Sequence, residues 1–344
     1  MKSSPYSAAL VKSKKKFGLT WRPQAFHGYR KSGNFFEGWF IKLVSANREH
    51  VYSIIPGVLQ DTDLQKAHAF VQFLDGRNHT SSYFRYPIDA FESSEASFFA
   101  NIEESRFHSD GIDLNLVDEN SSISGKVNFG PLREWPITAL SPGIMGWYAF
   151  TPFMQCYHGV VSLNHTLDGS LNINGETIDF NGGKGYIEKD WGRAFPSSYV
   201  WLQCNHFNTP GVCLSGSVAK IPWLFSSFRG FIFGLLLEDK LYRFTTYTGA
   251  KVEELRLTEE HVFITIRDRR FKLEVKADRT DGGILHAPYE SDMVERVSES
   301  LTSVCEVSFT ERKSGKIIFE EKGKPAALEV HGRLEEIVDS MPED

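Results

Sequence analysis

The chain has 344 residues, 41% hydrophobic and 24% charged, with a formal net charge of -6. At about 150 residues per domain this length predicts two domains, and the composition excludes a mainly disordered chain. The acidic balance supplies no field for neutralising phosphates, so no nucleic-acid partner is expected.

In chain order, the one basic cluster comes first: Lys12, Lys14, Lys15 and Lys16. It reads as a solvated tail with weak attraction to anionic lipid heads. No apolar run follows it, so no secretory signal is expected. The expected location is cytoplasmic, with peripheral contact at a membrane as the further option.

From about residue 33 onward, turn signals recur about every 8–12 residues and the segments between them are short, aromatic and β-branched. Examples are Phe35 to Val44, His50 to Leu59, His68 to Leu74, Tyr199 to Phe207, Tyr242 to Thr248 and His261 to Arg267. Residues 131–157, with four prolines, read as a long aromatic connection, and connections of that length are usually functional or covering segments. A second run of strands follows, and a short helix is predicted from Leu334 to Asp339. The expected fold is mainly β: two antiparallel β-barrels in tandem, residues 1–157 and 158–344.

The most apolar stretch, Ile221 to Leu237, is interrupted by Pro222, Ser226, Ser227 and Arg229 and falls short of a spanning helix. Cys156, Cys204, Cys213 and Cys305 form no CxxC pair and read as reduced thiols. The sequence contains no GxSxG, HExxH, Walker A loop or helix-opening GxGxxG, and its histidines lack metal-site spacing. No metal, no cofactor and no protein partner are expected.

Polar residues set among aromatic strands remain as candidates. The two-residue period places Phe35, Glu37, Trp39 and Ile41 on one face, where Glu37 is either paired to a buried cation or a carboxylic acid poised by desolvation. Within 182–192, Tyr186, Glu188 and Asp190 share one face and Ile187, Lys189 and Trp191 the other. Two carboxylates beside a tyrosine can divide one proton between them; a turn with solvated charges is the alternative. Trp201, Gln203, Asn205 and Phe207 form a further line. Gln155, Tyr157, His158, His68 and Gln72 add polar groups of the same style. Each alone suits a satisfied core group; together they suggest a cavity for a large apolar ligand.

On FHGYRKSGNFFEGWF (Phe26 to Phe40), PFMQCYHGVVSLNHTLDG (Pro152 to Gly169) and GYIEKDWGRAFPSSYVWLQCNHF (Gly185 to Phe207), the sequence resembles the tocopherol cyclases and their bacterial relatives. The likeness is strongest over residues 147–207 and faint after about 215. It implies two lipocalin-like barrels, akin to the carotenoid hydratase and AttH-like proteins. It also implies closure of a prenylated benzoquinol to a chromanol, with neither cofactor nor metal. Such a reaction protonates an alkene, and the phenol oxygen traps the resulting cation. On the matched residues, Asp190 is the expected acid, with Glu188 and Glu37 as rivals. Trp39, Trp191 and Trp201 would flank the cation, and Gln155, Tyr157, His158, Gln203 and Asn205 would hold the phenol oxygens. The expected ligand is a hydrophobic prenyl lipid or other isoprenoid. The alternatives are a non-catalytic isoprenoid carrier, and a hydratase or cyclase acting on another isoprenoid.

Overall fold

A computed structural model describes residues 18–31 and 33–339. The cluster Lys12, Lys14, Lys15 and Lys16 lies outside the described residues.

The first strands are β1 (Phe35–Val44), β2 (Val51–Gln60), β3 (His68–Asp75) and β4 (Thr80–Pro87). Short strands follow: β5 (Phe91–Ser93), β6 (Phe99–Ile102), β7 (Ser105–His108), β8 (Gly111–Val117) and β9 (Ser122–Phe129). The proline-rich connection holds a small ribbon, β10 (Ile137–Thr138) with β11 (Ser141–Pro142), and a 3-10 turn at Gly146–Phe150. Then come β12 (Cys156–Ile173), β13 (Glu176–Asp179) and β14 (Lys184–Gly192). Among the described residues these strands, the ribbon aside, form one antiparallel sheet in the order β4-β3-β2-β1-β14-β12-β9-β8-β7-β6-β5, with β13 beside β12.

The remaining strands are β15 (Ser198–Cys204), β16 (Cys213–Trp223), β17 (Ser226–Leu237), β18 (Lys240–Thr245) and β19 (Lys251–Leu257). They continue with β20 (His261–Arg267), β21 (Phe271–Asp278), β22 (Gly283–Tyr289), β23 (Asp292–Glu311) and β24 (Lys316–Gly332). Their sheet runs β18-β17-β16-β15-β24-β23-β21-β20-β19, with β22 beside β23.

The expected pair of lipocalin-like barrels is corrected by these pairings. The first sheet ends at β4 and β5 and the second at β18 and β19, and among the described residues no ladder joins either pair of ends. Both sheets are therefore open. A barrel needs its last strand bonded to its first, a condition that alternating hydrophobicity does not encode. The apolar stretch at Ile221 to Leu237 forms most of the β16–β17 hairpin. The predicted C-terminal helix is a single 3-10 turn, Leu334–Glu336.

The chain divides into two compact units. The first comprises the described residues up to Leu74, Ser81–Phe195 and His286–Glu295; the second comprises Asp75–Thr80, Pro196–Leu285 and the described residues from Arg296. The expected boundary between residues 157 and 158 falls inside β12. That strand and β14 complete the first sheet, through the β12–β9 and β14–β1 ladders, which keeps residues 158–195 in the first unit. Gln72 on β3 ties in the short segment from the far end of the chain: its amide donates to the His286 carbonyl (2.9 Å) and accepts from the His286 N–H (2.8 Å).

In the first unit, β1 and β14 are buried on both faces. One face carries Phe35, Trp39, Ile41 and Ile187 into an apolar core. On the opposite face Gly38 and Gly57 are paired across the β1–β2 ladder, and the Phe70 ring lies over them. A Cβ on Gly57 would stand 2.4 Å from Phe70 Cζ, so only glycine allows that approach. Every charged group on these two central strands must find a partner in protein, because an unpaired buried charge costs several kcal/mol.

Candidate functional site

Strand β14 presents two sets of ionisable groups, one on each face, as its two-residue period predicts. On the core face, Lys189 is fully buried and places Nζ 2.5 Å from Glu37 Oε1. It also donates to the Ala25 carbonyl, and its ammonium stands 5.0 Å from the Trp39 ring centroid and 4.5 Å from that of Trp191. Both Glu37 oxygens accept the His27 backbone N–H, at 3.0 and 2.9 Å. Burial pulls the Lys189 pKa down to about 8 against the pull of Glu37. Burial, and then the Lys189 charge, lower His27 below its ordinary value. The His27 ring stacks on Trp191 at 4.2 Å, and Lys189 Nζ approaches its Nδ1 at 2.8 Å. Of the two sequence readings of Glu37, this geometry matches the carboxylate paired to a buried cation. The aromatic box formed by Trp39 and Trp191 encloses the protein's own ammonium.

The opposite face carries a row of four groups. The Tyr186 hydroxyl donates to Glu188 Oε2 at 2.5 Å. His158, on β12, sits directly across the ladder from Asp190. Its Nε2 lies 3.6 Å from Glu188 Oε2 and its Nδ1 lies 3.0 Å from Asp190 Oδ1. Burial disfavours the imidazolium, but the charges of Asp190 and Glu188 outweigh it and hold the His158 pKa up to about 9. Cys156 Sγ approaches Asp190 at 3.8 Å, and burial followed by the Asp190 charge keeps this thiol well above its ordinary range. The Asp190 side chain is 26% exposed against 5% for Glu188, so Asp190 is the end of the row that an incoming molecule can touch. Gly38 faces Asp190 across the β1–β14 ladder, with Phe36 and Phe40 two residues to either side. Lys42, also fully buried, is opposite Tyr186 in the same ladder.

The structure thus unites Asp190, Glu188 and His158, and it unites Glu37, Trp39 and Trp191 on the other face of the same strand. Tyr157 joins the second group: its ring stacks on Trp191 at 5.5 Å and its hydroxyl donates to the Thr151 carbonyl. Gln155 lies just before β12, and its Oε1 is buried without a hydrogen-bond partner. Trp201 and Gln203 on β15, and Asn205 beyond it, are buried in the second unit and belong to neither group. The sequence reading gave His158 a phenol to hold, where the structure gives it two carboxylates. It also left His27 unmarked, because nothing local to His27 signals the register of β1 against β14.

One ligand atom each from His158, Glu188 and Asp190 lies within 4.8 Å of the others, a spacing a cation could use. The ring, however, stands between the carboxylates, each nitrogen facing a different one. A metal site needs one nitrogen and both carboxylates to converge on a point, whereas this arrangement suits the sharing of protons along a row.

Two open antiparallel sheets and a buried proton-sharing row on a central strand define a β protein equipped for acid–base chemistry in a largely dry setting. The Tocopherol cyclase-like family pattern matches residues 95–332, and the chain belongs to that family. It is 25% identical over 213 residues to the probable chloroplastic tocopherol cyclase of Oryza sativa subsp. japonica, covering 59% of this chain and 45% of the relative. It is 25% identical over 231 residues to the chloroplastic tocopherol cyclase of Zea mays, covering 63% and 48%. The chain spans about half the length of these curated relatives. In fold it is similar to a crystal structure described as AttH from Nitrosomonas europaea, with a TM-score of 0.52, 12% identity, and coverage of 93% of this chain and 98% of that one.

Proposed function

We propose that this chain is a cofactor-independent cyclase that closes a prenylated benzoquinol to a chromanol, with Asp190 as the proton donor. The observation that carries the reading is the row Tyr186, Glu188, His158, Asp190, buried at one end and accessible at the other. Family membership supports it, and the rice and maize relatives carry the name tocopherol cyclase.

In this mechanism the His158 imidazolium passes its Nδ1 proton to Asp190, which delivers it to the less substituted carbon of the trisubstituted alkene, leaving a tertiary cation. The phenol oxygen attacks that cation, closing a six-membered ring, and the phenolic proton departs to a base. No atoms are gained or lost overall. The phenolic proton returns through Asp190 to His158, which restores the row. A positioned acid of this kind is worth about two to four powers of ten in rate. Phe36 and Phe40, on the same face as Asp190, offer rings beside the developing charge, each worth roughly 0.5–2 kcal/mol. Trp39 and Trp191 are on the far face with Lys189, so the phenylalanines take the role that the sequence reading assigned to tryptophans.

The test is incubation of the purified protein with a methyl-phytyl-benzoquinol, followed by chromatographic detection of the chromanol. Wild type should turn over, and Asp190→Asn should lose about two to four powers of ten. Equal rates in both would sink the assignment of Asp190. Tight retention of the quinol with no product would instead favour a carrier.

A further inference from the structure

Between Asp190 and Glu238 the chain contains no Asp or Glu. This stretch includes the β16–β17 hairpin, which closes through Leu224 and Phe225 between the paired Trp223 and Ser226. Neither is a residue that a tight turn selects. Leu224 holds a φ of 49°, in the left-handed region where glycine and asparagine are favoured. The protein covers neither side chain: Leu224 keeps 71% of its surface exposed and Phe225 is exposed completely. Glycine and serine would make this turn with less strain, so the fold itself does not account for a leucine and a phenylalanine at its apex. Bare apolar side chains held outward in this way mark an interaction site.

The order of groups along the hairpin gives the occupant. At its base Lys220 and Arg229 face each other across the ladder. Lys220 Nζ lies 2.8 Å from Glu336, and Arg229 donates to Asp339 at 2.7 Å and to the Ile337 carbonyl at 3.0 Å. These bonds brace the base. An ammonium has three donors and a guanidinium five, so both cations keep N–H groups for a further anion. Outward of them come Ile221, Trp223 and Phe228, the last two with their rings edge to face at 5.9 Å, and then the bare apex. Four residues from Lys220 to Leu224, at about 3.3 Å each, put the apex about 13 Å beyond the cations. Half of a bilayer's hydrocarbon core is about 15 Å thick. Cations, then tryptophan, then aliphatic and phenyl groups is the order of layers met on entering a leaflet, and no carboxylate on the hairpin opposes the phosphates.

We propose that the apex of the β16–β17 hairpin inserts into one leaflet of a phospholipid bilayer. Leu224 and Phe225 enter the acyl chains, Trp223 sits at the boundary with the headgroups, and Lys220 and Arg229 donate to lipid phosphates. Because both cations already have carboxylate partners, the apolar apex supplies the affinity and binding does not depend on anionic lipid. The inference stands apart from the proposed cyclisation, because insertion is measured without turnover.

The experiment is flotation of the full chain with phosphatidylcholine vesicles at low and high salt. Wild type should float in both. The double variant Leu224→Gly, Phe225→Ser should bind about tenfold less or weaker still. Its melting temperature should not fall, since glycine suits the left-handed backbone and neither side chain is packed. If the double variant melts early, Phe225→Ser alone gives the same reading from the fully exposed position. Vesicles with brominated acyl chains should quench part of the wild-type tryptophan emission, and Trp223→Phe should remove that part. Wild type that stays with the dense fraction, apex variants that float as wild type does, or quenching that survives Trp223→Phe would overturn the proposal. So would a wild-type dimer that the double variant dissolves while vesicle binding is absent throughout, which would make the apex a contact between copies.

Discussion

His158 and Asp190 face each other across the β12–β14 ladder, with Nδ1 3.0 Å from Oδ1, and the ring's other nitrogen turns to Glu188. A cation placed between two carboxylates in a mostly buried setting ties the charge of one residue to the stability of two strands.

The first prediction follows from the sign of that linkage. In the unfolded chain His158 titrates near its ordinary 6.5, and in the fold it titrates near 9. A raised folded value means that its stabilisation is fully present below pH 6.5 and is lost as pH rises through about 9, a change of about 2–4 kcal/mol. Lys189, lowered to about 8, works in the opposite direction at higher pH. The measurement is therefore the difference in denaturant stability between wild type and His158→Gln from pH 6 to pH 10. The gap should be wide at pH 6 and shrink toward pH 10; a constant gap would show that His158 carries no such charge.

The second prediction separates structure from catalysis at Glu37. Glu37→Gln leaves the buried Lys189 ammonium without its carboxylate and should cost about 3–5 kcal/mol in urea unfolding. Glu37→Gln combined with Lys189→Met removes the stranded charge and should recover most of that loss. A Glu37→Gln protein as stable as wild type but inactive on the quinol would instead make Glu37 the acid.

The third prediction contrasts two glycines that are paired with each other. At Gly57 a new Cβ would lie 2.4 Å from Phe70 Cζ and 2.7 Å from the Glu37 carbonyl, whereas at Gly38 the nearest atom is 3.5 Å away. Gly57→Ala should lose about 1–3 kcal/mol through overpacking. Gly38→Ala should stay within about 0.5 kcal/mol of wild type. Thermal melts of the two variants decide it, and equal losses would contradict the asymmetry.

Much of this architecture was legible in the sequence at the level of single strands. Alternation defined β1 with the same ends and sorted β14 into its two faces, placing Glu188 and Asp190 with Tyr186 and Lys189 with Trp191. What alternation cannot carry is partnership. β1 pairs with β14, well over a hundred residues away, and that ladder alone brings Lys189 to Glu37. The register of β12 on β14 likewise brings His158 to Asp190. Closure was lost for the same reason: whether β4 meets β5 is a fact about the two ends of a sheet, and no window of neighbouring residues contains it. The resemblance to tocopherol cyclases was correct at the level of family, because long motifs survive where pairwise geometry is not written.

The clasp between Gln72 and His286 spans 214 residues, and the segment His286–Glu295 belongs to the first unit. During synthesis, the strands of the first sheet are all made by Gly192, but the β3 amide finds its peptide only after His286 has been added. A chain cut before His286 would keep every strand of the first sheet yet leave the buried Gln72 amide without its peptide partner, an uncompensated burial that costs about 1–3 kcal/mol.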